Sequence, residues 1–263
     1  MLDWTVKRLG GAAVDLGRYA SSLFRHLVRA LTSGFERDGG AVVQRTTLNQ
    51  VYFTGVDAVP VVASLASILG GLIILQSLSL LSATGNQDLL GPLMELVVVR
   101  ELAPVMTAFI VIGRSGSSIT VELGNARVAR ELDLLDGMGI DLYRFVVWPR
   151  LIGVTAATFA LTVVFAISAV LGGFGVASLA IDTPFSAFFS IVSKSVTPID
   201  LAVTGLKTVV FGLIVATVST WQGMTVGRAI TDVPQATRRS VVHSLLWVVV
   251  ADAVLTALFW RSL

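Results

Sequence analysis

Four charged residues stand deep inside long apolar stretches of this chain. Arg100 and Glu101 are adjacent in the stretch 89–113, Lys207 lies in 201–221, and Asp252 lies in 241–260. A charge at the centre of a membrane-spanning helix costs about 2.5–3.5 kcal/mol, so such groups face a protein interior or a wet cavity and pair there. Two chemistries fit them. Arg100 and Lys207 offer the donors that bind a phosphate, which makes the four a polar site for the charged end of an amphiphile. Alternatively, Arg100 or Lys207 pairs with Glu101 or Asp252 and holds the helices together. The two are compatible, because a basic group can exchange a carboxylate for a phosphate. Asp252 reads as the most structural of the four. Pro104, just after Arg100-Glu101, removes a backbone donor and breaks the helix locally. Glu95 is expected near the outer interface, where a charge needs no special role. His243 is expected to make ordinary hydrogen bonds.

Other site chemistries are excluded by inventory. The chain has no cysteine, so it has no disulfide, thiolate nucleophile or Cys-bound zinc. His26 and His243 are its two histidines, too few for a histidine-rich metal cage. No Walker A loop is present, and GRSGSS from Gly113 lacks the terminal Lys-Ser/Thr. No cofactor is therefore expected in the chain, and energy for any transport must come from a partner or an ion gradient. The run Gly113–Ser118 reads as small residues that let helices approach closely.

The elements that hold these residues follow from composition. Apolar residues make up 54% of 263 and charged residues 14%, against about 25% charge in a soluble domain. A soluble enzyme, a disordered chain and a nucleic-acid binder are disfavoured. Five apolar stretches, at about 58–83, 89–113, 151–181, 201–221 and 241–260, each approach or exceed the roughly 20 residues that cross the hydrocarbon core. Lys7, Arg8, Asp15, Arg18 and Arg25 interrupt the N-terminal stretch, so no cleavable leader is expected.

Basic residues give the sidedness. Seven precede the first span (Lys7, Arg8, Arg18, Arg25, Arg29, Arg37, Arg45), five lie between spans two and three (Arg114, Arg127, Arg130, Arg144, Arg150), and three lie between spans four and five (Arg228, Arg238, Arg239). All fall on one side if five spans alternate, while Lys194 and Arg261 fall on the other. The positive-inside rule then puts the N-terminus in the cytoplasm and the C-terminus outside. Before the spans, Leu16, Leu23, Leu27 and Leu31, with Tyr19, Ala20 and Phe24, oppose Arg18, Arg25 and Arg29. This is a basic amphipathic helix in the cytoplasmic interface, ended by Gly39-Gly40. Between spans two and three, Val121, Leu123, Val128, Leu132, Leu135 and Met138 form a stripe beside Arg127, Arg130, Glu131, Asp133 and Asp136. That pattern suits docking into a groove on a soluble partner. The outer loop from about Asp182 to Asp200 has room for a short apolar helix at 185–191.

The expected architecture is an all-α membrane protein in one permease domain, 1–263. Region 1–45 holds the interfacial helix, 52–263 a five-span transmembrane bundle, and 117–139 the cytoplasmic coupling-helix region between spans two and three. Three functions stay in play. A transporter subunit driven by a separate ATPase uses the buried charges as a cargo site. An ion-coupled secondary transporter uses Asp252 or Glu101 as a proton site, against which the odd span count and absent inverted repeat argue. A non-transporting scaffold uses the charges for stability alone.

Arg100-Glu101-Leu102-Ala103-Pro104, Gly113-Arg114, VELGNARV from Val121 and MGIDLYRFVVWPR from Met138 resemble MlaE-type permeases, the membrane subunits of the maintenance-of-lipid-asymmetry and related MCE-associated ABC transporters. Lys207 and the run Gln235 to Trp260 share the resemblance, which covers nearly the whole chain. It implies a homodimer in the bacterial inner membrane that carries phospholipid or a related lipid between its two copies. It also implies two cytoplasmic ABC ATPase subunits, which bind ATP and Mg, an MCE-domain partner, commonly a hexamer, and a STAS-domain protein. No metal and no nucleic acid are implied. Arg100, Glu101 and Lys207 match residues close to the lipid region. Glu122, Arg127, Arg130, Glu131, Asp133 and Asp136 fall in the implied ATPase-docking helix. There is one departure: Ala129-Arg130-Glu131 stands where the family usually has Thr-Glu-Gln, so an acidic docking residue is replaced by Arg130.

Overall fold

A computed structural model describes residues 2–34, 40–84, 92, 94–181 and 184–259, with the backbone alone for 2–16, 78–84 and 181. The side chains of Lys7, Arg8 and Leu16, and residues Arg37, Gly39, Asp182, Trp260 and Arg261, lie outside the described residues. The described chain is helical throughout. Helix α1 is Leu2–Gly34. Helix α2 (Gly40–Thr54) leads through a 3₁₀ turn (Val56–Ala58) into α3 (Val59–Thr84). A π-helical segment (Met94–Leu102), α4 (Ala103–Val111), a second π segment (Ile112–Gly116) and α5 (Ser117–Val128) follow one another as a single rod. Helix α6 (Glu131–Gly137) and a third π segment (Tyr143–Val147) lead into α7 (Trp148–Ile181). Then come α8 (Phe185–Ser195), α9 (Pro198–Met224) and α10 (Asp232–Phe259).

Five helical rods are long and apolar enough to cross a membrane: Gly40–Ser77, Met94–Val128, Tyr143–Ala180, Pro198–Met224 and Asp232–Phe259. The protein is a multi-pass membrane protein. Two boundaries differ from the sequence reading. The first rod reaches back to Gly40, because Gly40–Thr54 is helical and joins Val59–Thr84 through one 3₁₀ turn at Val56–Ala58. The second rod runs on to Val128 instead of stopping at Gly113, because the small residues of 113–118 widen the helix into a π turn without ending it.

Helix α7 lies along α3 on one side and along α9 on another, and α9 in turn contacts α5 and α10. The α3–α7 seam is the tightest. A Cβ at Gly70 would sit 2.0 Å from the Ala169 carbonyl oxygen, and one at Gly172 would sit 2.2 Å from that of Ser67. Only glycine permits this approach, which the Ser67 hydroxyl uses to donate to the Ser168 carbonyl at 3.1 Å. Along the second rod the buried residues come in pairs four apart: 103/104, 107/108, 111/112, 115/116, 119/120 and 123/124. An α-helix drifts by about 40° over each four residues, and the wider turn at Ile112–Gly116 takes back part of that drift. Over half of the most apolar stretch of α9 is buried, 56%, against 11% for α10. Helix α9 is therefore the bundle axis, and α10 leaves its outer face open to lipid or to another chain.

Helix α1 is amphipathic as its pattern requires: Leu23 and Ala30 are buried while Arg18, Arg25 and Arg29 face out. Phe24 departs from the expected apolar face and is 67% exposed. The stretch 117–139 divides into two helices. Its first part, α5, packs on α9 and α10. The chain then breaks at Arg130, whose φ of 59° is left-handed and caps the C-terminal end of α5. Helix α6 keeps only Leu132 buried, and Leu134 and Met138 are 65% and 67% exposed.

Candidate functional site

The four intramembrane charges do not form one knot. They sort into a pair, Arg100 with Asp200, and a triad, Lys207 with Glu101 and Asp252. The first π segment carries Arg100 and Glu101 on successive positions, so their side chains leave in different directions. Arg100 is 1% exposed; its Nη1 pairs with Asp200 Oδ1 at 3.2 Å, and its Nη2 donates to the Phe259 carbonyl at 3.3 Å. Glu101 turns to Lys207. The Lys207 Nζ donates to Glu101 Oε2 at 2.6 Å and to Thr256 Oγ1 at 2.7 Å. The same Nζ lies 2.9 Å from Asp252 Oδ1, out of line for a hydrogen bond. Thr256 in turn donates to Glu101 Oε2 at 3.3 Å. One ammonium therefore ties the second rod, α9 and α10 together. Removing one partner of a buried pair costs about 3–5 kcal/mol, whereas the intact pair adds little net stability.

Asp200 was legible only as a loop residue. Its carboxylate accepts from the Thr197 backbone at 3.0 Å and from the Thr197 hydroxyl, and the Thr197 oxygen accepts from the Asp200 backbone at 3.3 Å. This is a capping box at the start of α9, and Thr-Pro-Ile-Asp is its signature. The same carboxylate can neutralise Arg100 because the cap fixes it there. Glu95 corrects a second expectation. It is not at a cheap, wet interface: it is 8% exposed, and its Oε1 has no hydrogen-bond partner. The π register of Met94–Leu102 brings it to the buried side with Arg100.

Below the charges lies an apolar groove of about 380 Å³, lined by Leu23, Phe24 and Leu27 of α1, Val210 and Ile214 of α9 and Trp247 of α10, among others. Lys207, Val210, Ile214, Thr217 and Val218 recur at helical spacing, so cluster and groove share one face of α9. From Lys207 to Val218 the helix rises about 16 Å, close to half of the roughly 30 Å hydrocarbon core. The groove's lining carries no charged side chain, so cluster and groove are successive features along α9.

The groove's α1 wall is held by two polar clasps. The buried His26 ring contacts the Tyr143 hydroxyl at 3.2 Å through Nδ1 and Thr220 Oγ1 at 3.0 Å through Nε2. Burial, and then the neighbouring Arg29 charge, lower its pKa to about 4, so it is neutral. Arg29 itself stacks 4.4 Å from the centre of the Tyr143 ring. In the second clasp the Tyr19 hydroxyl meets His243 Nδ1 at 3.0 Å and Gln222 Nε2 at 3.0 Å. Burial raises the Tyr19 pKa, against a smaller lowering by Gln222. Among the described residues no group of His, Asp and Glu has metal-site geometry.

The six residues read as ATPase-docking also separate. Glu122 accepts from Arg150 Nη2 at 2.7 Å, and Arg127 pairs with Asp133 across the α5–α6 break. Arg130, Glu131 and Asp136 project from α6 and its cap as exposed residues.

Comparison with known proteins matches this architecture. The family model described as Permease MlaE matches residues 47–258. The chain is 29% identical over 257 residues to the Haemophilus influenzae intermembrane phospholipid transport system permease protein MlaE, covering 94% of this chain and 97% of the relative. It is 29% identical over 214 residues to a probable ABC transporter permease protein, RP096, of Rickettsia prowazekii, covering 81% and 83%. It is also 29% identical over 228 residues to the chloroplastic protein TRIGALACTOSYLDIACYLGLYCEROL 1 of Arabidopsis thaliana, covering 85% and 64%. With five apolar rods, the RELAP and VELGNARV motifs and a family match over most of its length, the chain belongs to the MlaE permease family.

Proposed function

We propose that this permease moves phospholipid or a related lipid between the inner membrane and an MCE-domain partner, powered by a separate ATPase. The observation that carries the reading is the ionic cluster of Lys207, Glu101 and Asp252 held inside an apolar bundle that also carries an apolar groove farther along α9. A lipid has that polarity: a charged head for the cluster and a chain for the groove. The Haemophilus relative's name, an intermembrane phospholipid transport permease, supports the same cargo class. The open outer face of α10 supports assembly as a homodimer with cargo between the copies.

In this reading the fifteen clustered basic residues face the cytoplasm, the N-terminus is cytoplasmic and the C-terminus periplasmic. Helix α6, with Leu134, Met138, Arg130, Glu131 and Asp136 exposed, docks one of two ATPase subunits. Those subunits bind ATP and Mg, and a STAS-domain protein sits beside them. An MCE hexamer receives or delivers lipid on the other side. The test is co-purification of the full chain with its ATPase and MCE partners, followed by mass spectrometry of extracted lipid. Recovery of both partners with near-stoichiometric phospholipid is the expected result. A lipid-free protein that stimulates no ATPase would overturn the proposal.

A further inference from the structure

The charges in the cluster do not balance. Among the described residues three carboxylates (Glu101, Asp200, Asp252) share two cations, Arg100 and Lys207, and the carboxyl group of Glu95 is buried beside them. The cations are also the least accessible members. The side chains of Lys207 and Arg100 are 0% and 1% exposed, while those of Glu101 and Asp252 are 31% and 23% exposed. A ligand arriving at the open side therefore meets carboxylate oxygens first. A phosphate would have to displace two carboxylates from Lys207 before touching it.

A second observation points the same way. Glu95 is more than nine-tenths buried, within the electrostatic reach of Asp200, Arg100 and Glu101, and its Oε1 has no donor. A buried acceptor without a donor costs free energy that a ligand N–H can recover. What the cluster lacks is positive charge carrying N–H donors.

We infer that the open side of this cluster, at Glu101 and Asp252, binds an organic ammonium group, such as the primary amine of a zwitterionic lipid headgroup. The inference rests on the lipid-permease reading and deepens it, because it names the headgroup chemistry. Thr256, which bridges Lys207 and Glu101, offers a further oxygen to the incoming amine.

The test reconstitutes the full chain in nanodiscs holding equal amounts of phosphatidylethanolamine and phosphatidylglycerol with matched acyl chains. Lipid retained after detergent extraction and washing is measured by mass spectrometry. A parallel arm follows the thermal stability of the wild-type protein with methylammonium chloride against sodium chloride. A charge-assisted hydrogen bond is worth about tenfold in binding, so about tenfold enrichment of the ethanolamine lipid is expected. Glu101→Gln with Asp252→Asn should abolish it. Equal retention of both lipids, with stabilisation by methylammonium, supports the ammonium site with a free amine as its source. Equal retention or phosphatidylglycerol enrichment, with no methylammonium effect, overturns the inference and leaves the permease reading standing. No retained lipid of either kind counts against the permease reading, and the methylammonium arm then decides the inference alone. Both wild-type arms hold even if the double variant fails to fold.

Discussion

Lys207→Met is the most informative single perturbation of this bundle. Methionine keeps the length and apolar stem of lysine but removes the ammonium that Glu101 and Asp252 share at 2.6 and 2.9 Å. Stripping one partner from a buried pair costs about 3–5 kcal/mol. The two carboxylates left behind are 31% and 23% exposed and recover some hydration, so the lower end, about 3 kcal/mol, applies. For a chain of this size about 1 kcal/mol moves the Tm by 2–4 °C, which predicts a fall of about 10 °C for the purified protein in detergent. Adding Glu101→Gln and Asp252→Asn to Lys207→Met should restore most of that loss, because a neutral set of similar volume replaces an intact pair at little net cost. A Lys207→Met protein with an unchanged Tm, or a triple variant no more stable than the single, would refute the reasoning that this ammonium neutralises both carboxylates.

Other consequences can be measured separately. His26 has a folded pKa near 4, below its ordinary 6.5. The undocked α1 therefore takes up a proton first as pH falls from 6.5 toward 4, and docking weakens by up to about 3 kcal/mol across that window. Above pH 6.5 the effect vanishes; hydrogen exchange of α1 should show this in the wild type and not in His26→Gln. Gly172→Ala should destabilise by about 1–3 kcal/mol through overpacking against Ser67. Gly175→Ala meets no atom within 4 Å and should be neutral or slightly stabilising, and a Tm comparison of the two separates a packing effect from helix propensity. Arg130→Gly relieves a left-handed backbone at a non-glycine residue and should stabilise by about 1 kcal/mol, read as a rise in Tm; Arg130→Glu should change affinity for the ATPase if α6 docks it, read by a pull-down titration. A cysteine at Ser193 should react with an impermeant maleimide from the periplasm and one at Thr231 should not; the reverse labelling would invert the topology.

The spans were legible because five long apolar stretches leave no other fold for the chain, and α1 was legible because leucines and arginines alternate at helical spacing. The rods' true ends were not: Gly40–Thr54 and Ser117–Val128 are too polar to look membrane-spanning, yet they continue helices that begin or end inside the apolar zone. The intramembrane charges stood out one by one, but their pairing depends on helix rotation, and the π segment at Met94–Leu102 resets that rotation. Glu95 was misplaced for the same reason, whereas Asp200 is held by its capping box at the start of α9. A sequence position near the edge of a span does not tell whether the side chain turns outward to water or inward to Arg100. The two histidines were read as hydrogen-bonding groups or left unassigned. Their partners Tyr19, Tyr143 and Thr220 lie up to 224 positions away, beyond any local pattern.

The account depends on the cluster at Lys207 being an opening for a lipid head and not a sealed internal lock. An experimental density map of the permease assembled with its ATPase and MCE partners tests this most directly. The predicted result is a headgroup within hydrogen-bonding distance of Glu101 or Asp252, with its chain running past Val210 toward Val218. Side chains of a second copy packed against Glu101, Asp252 and Thr256, leaving no space between the copies, would contradict it.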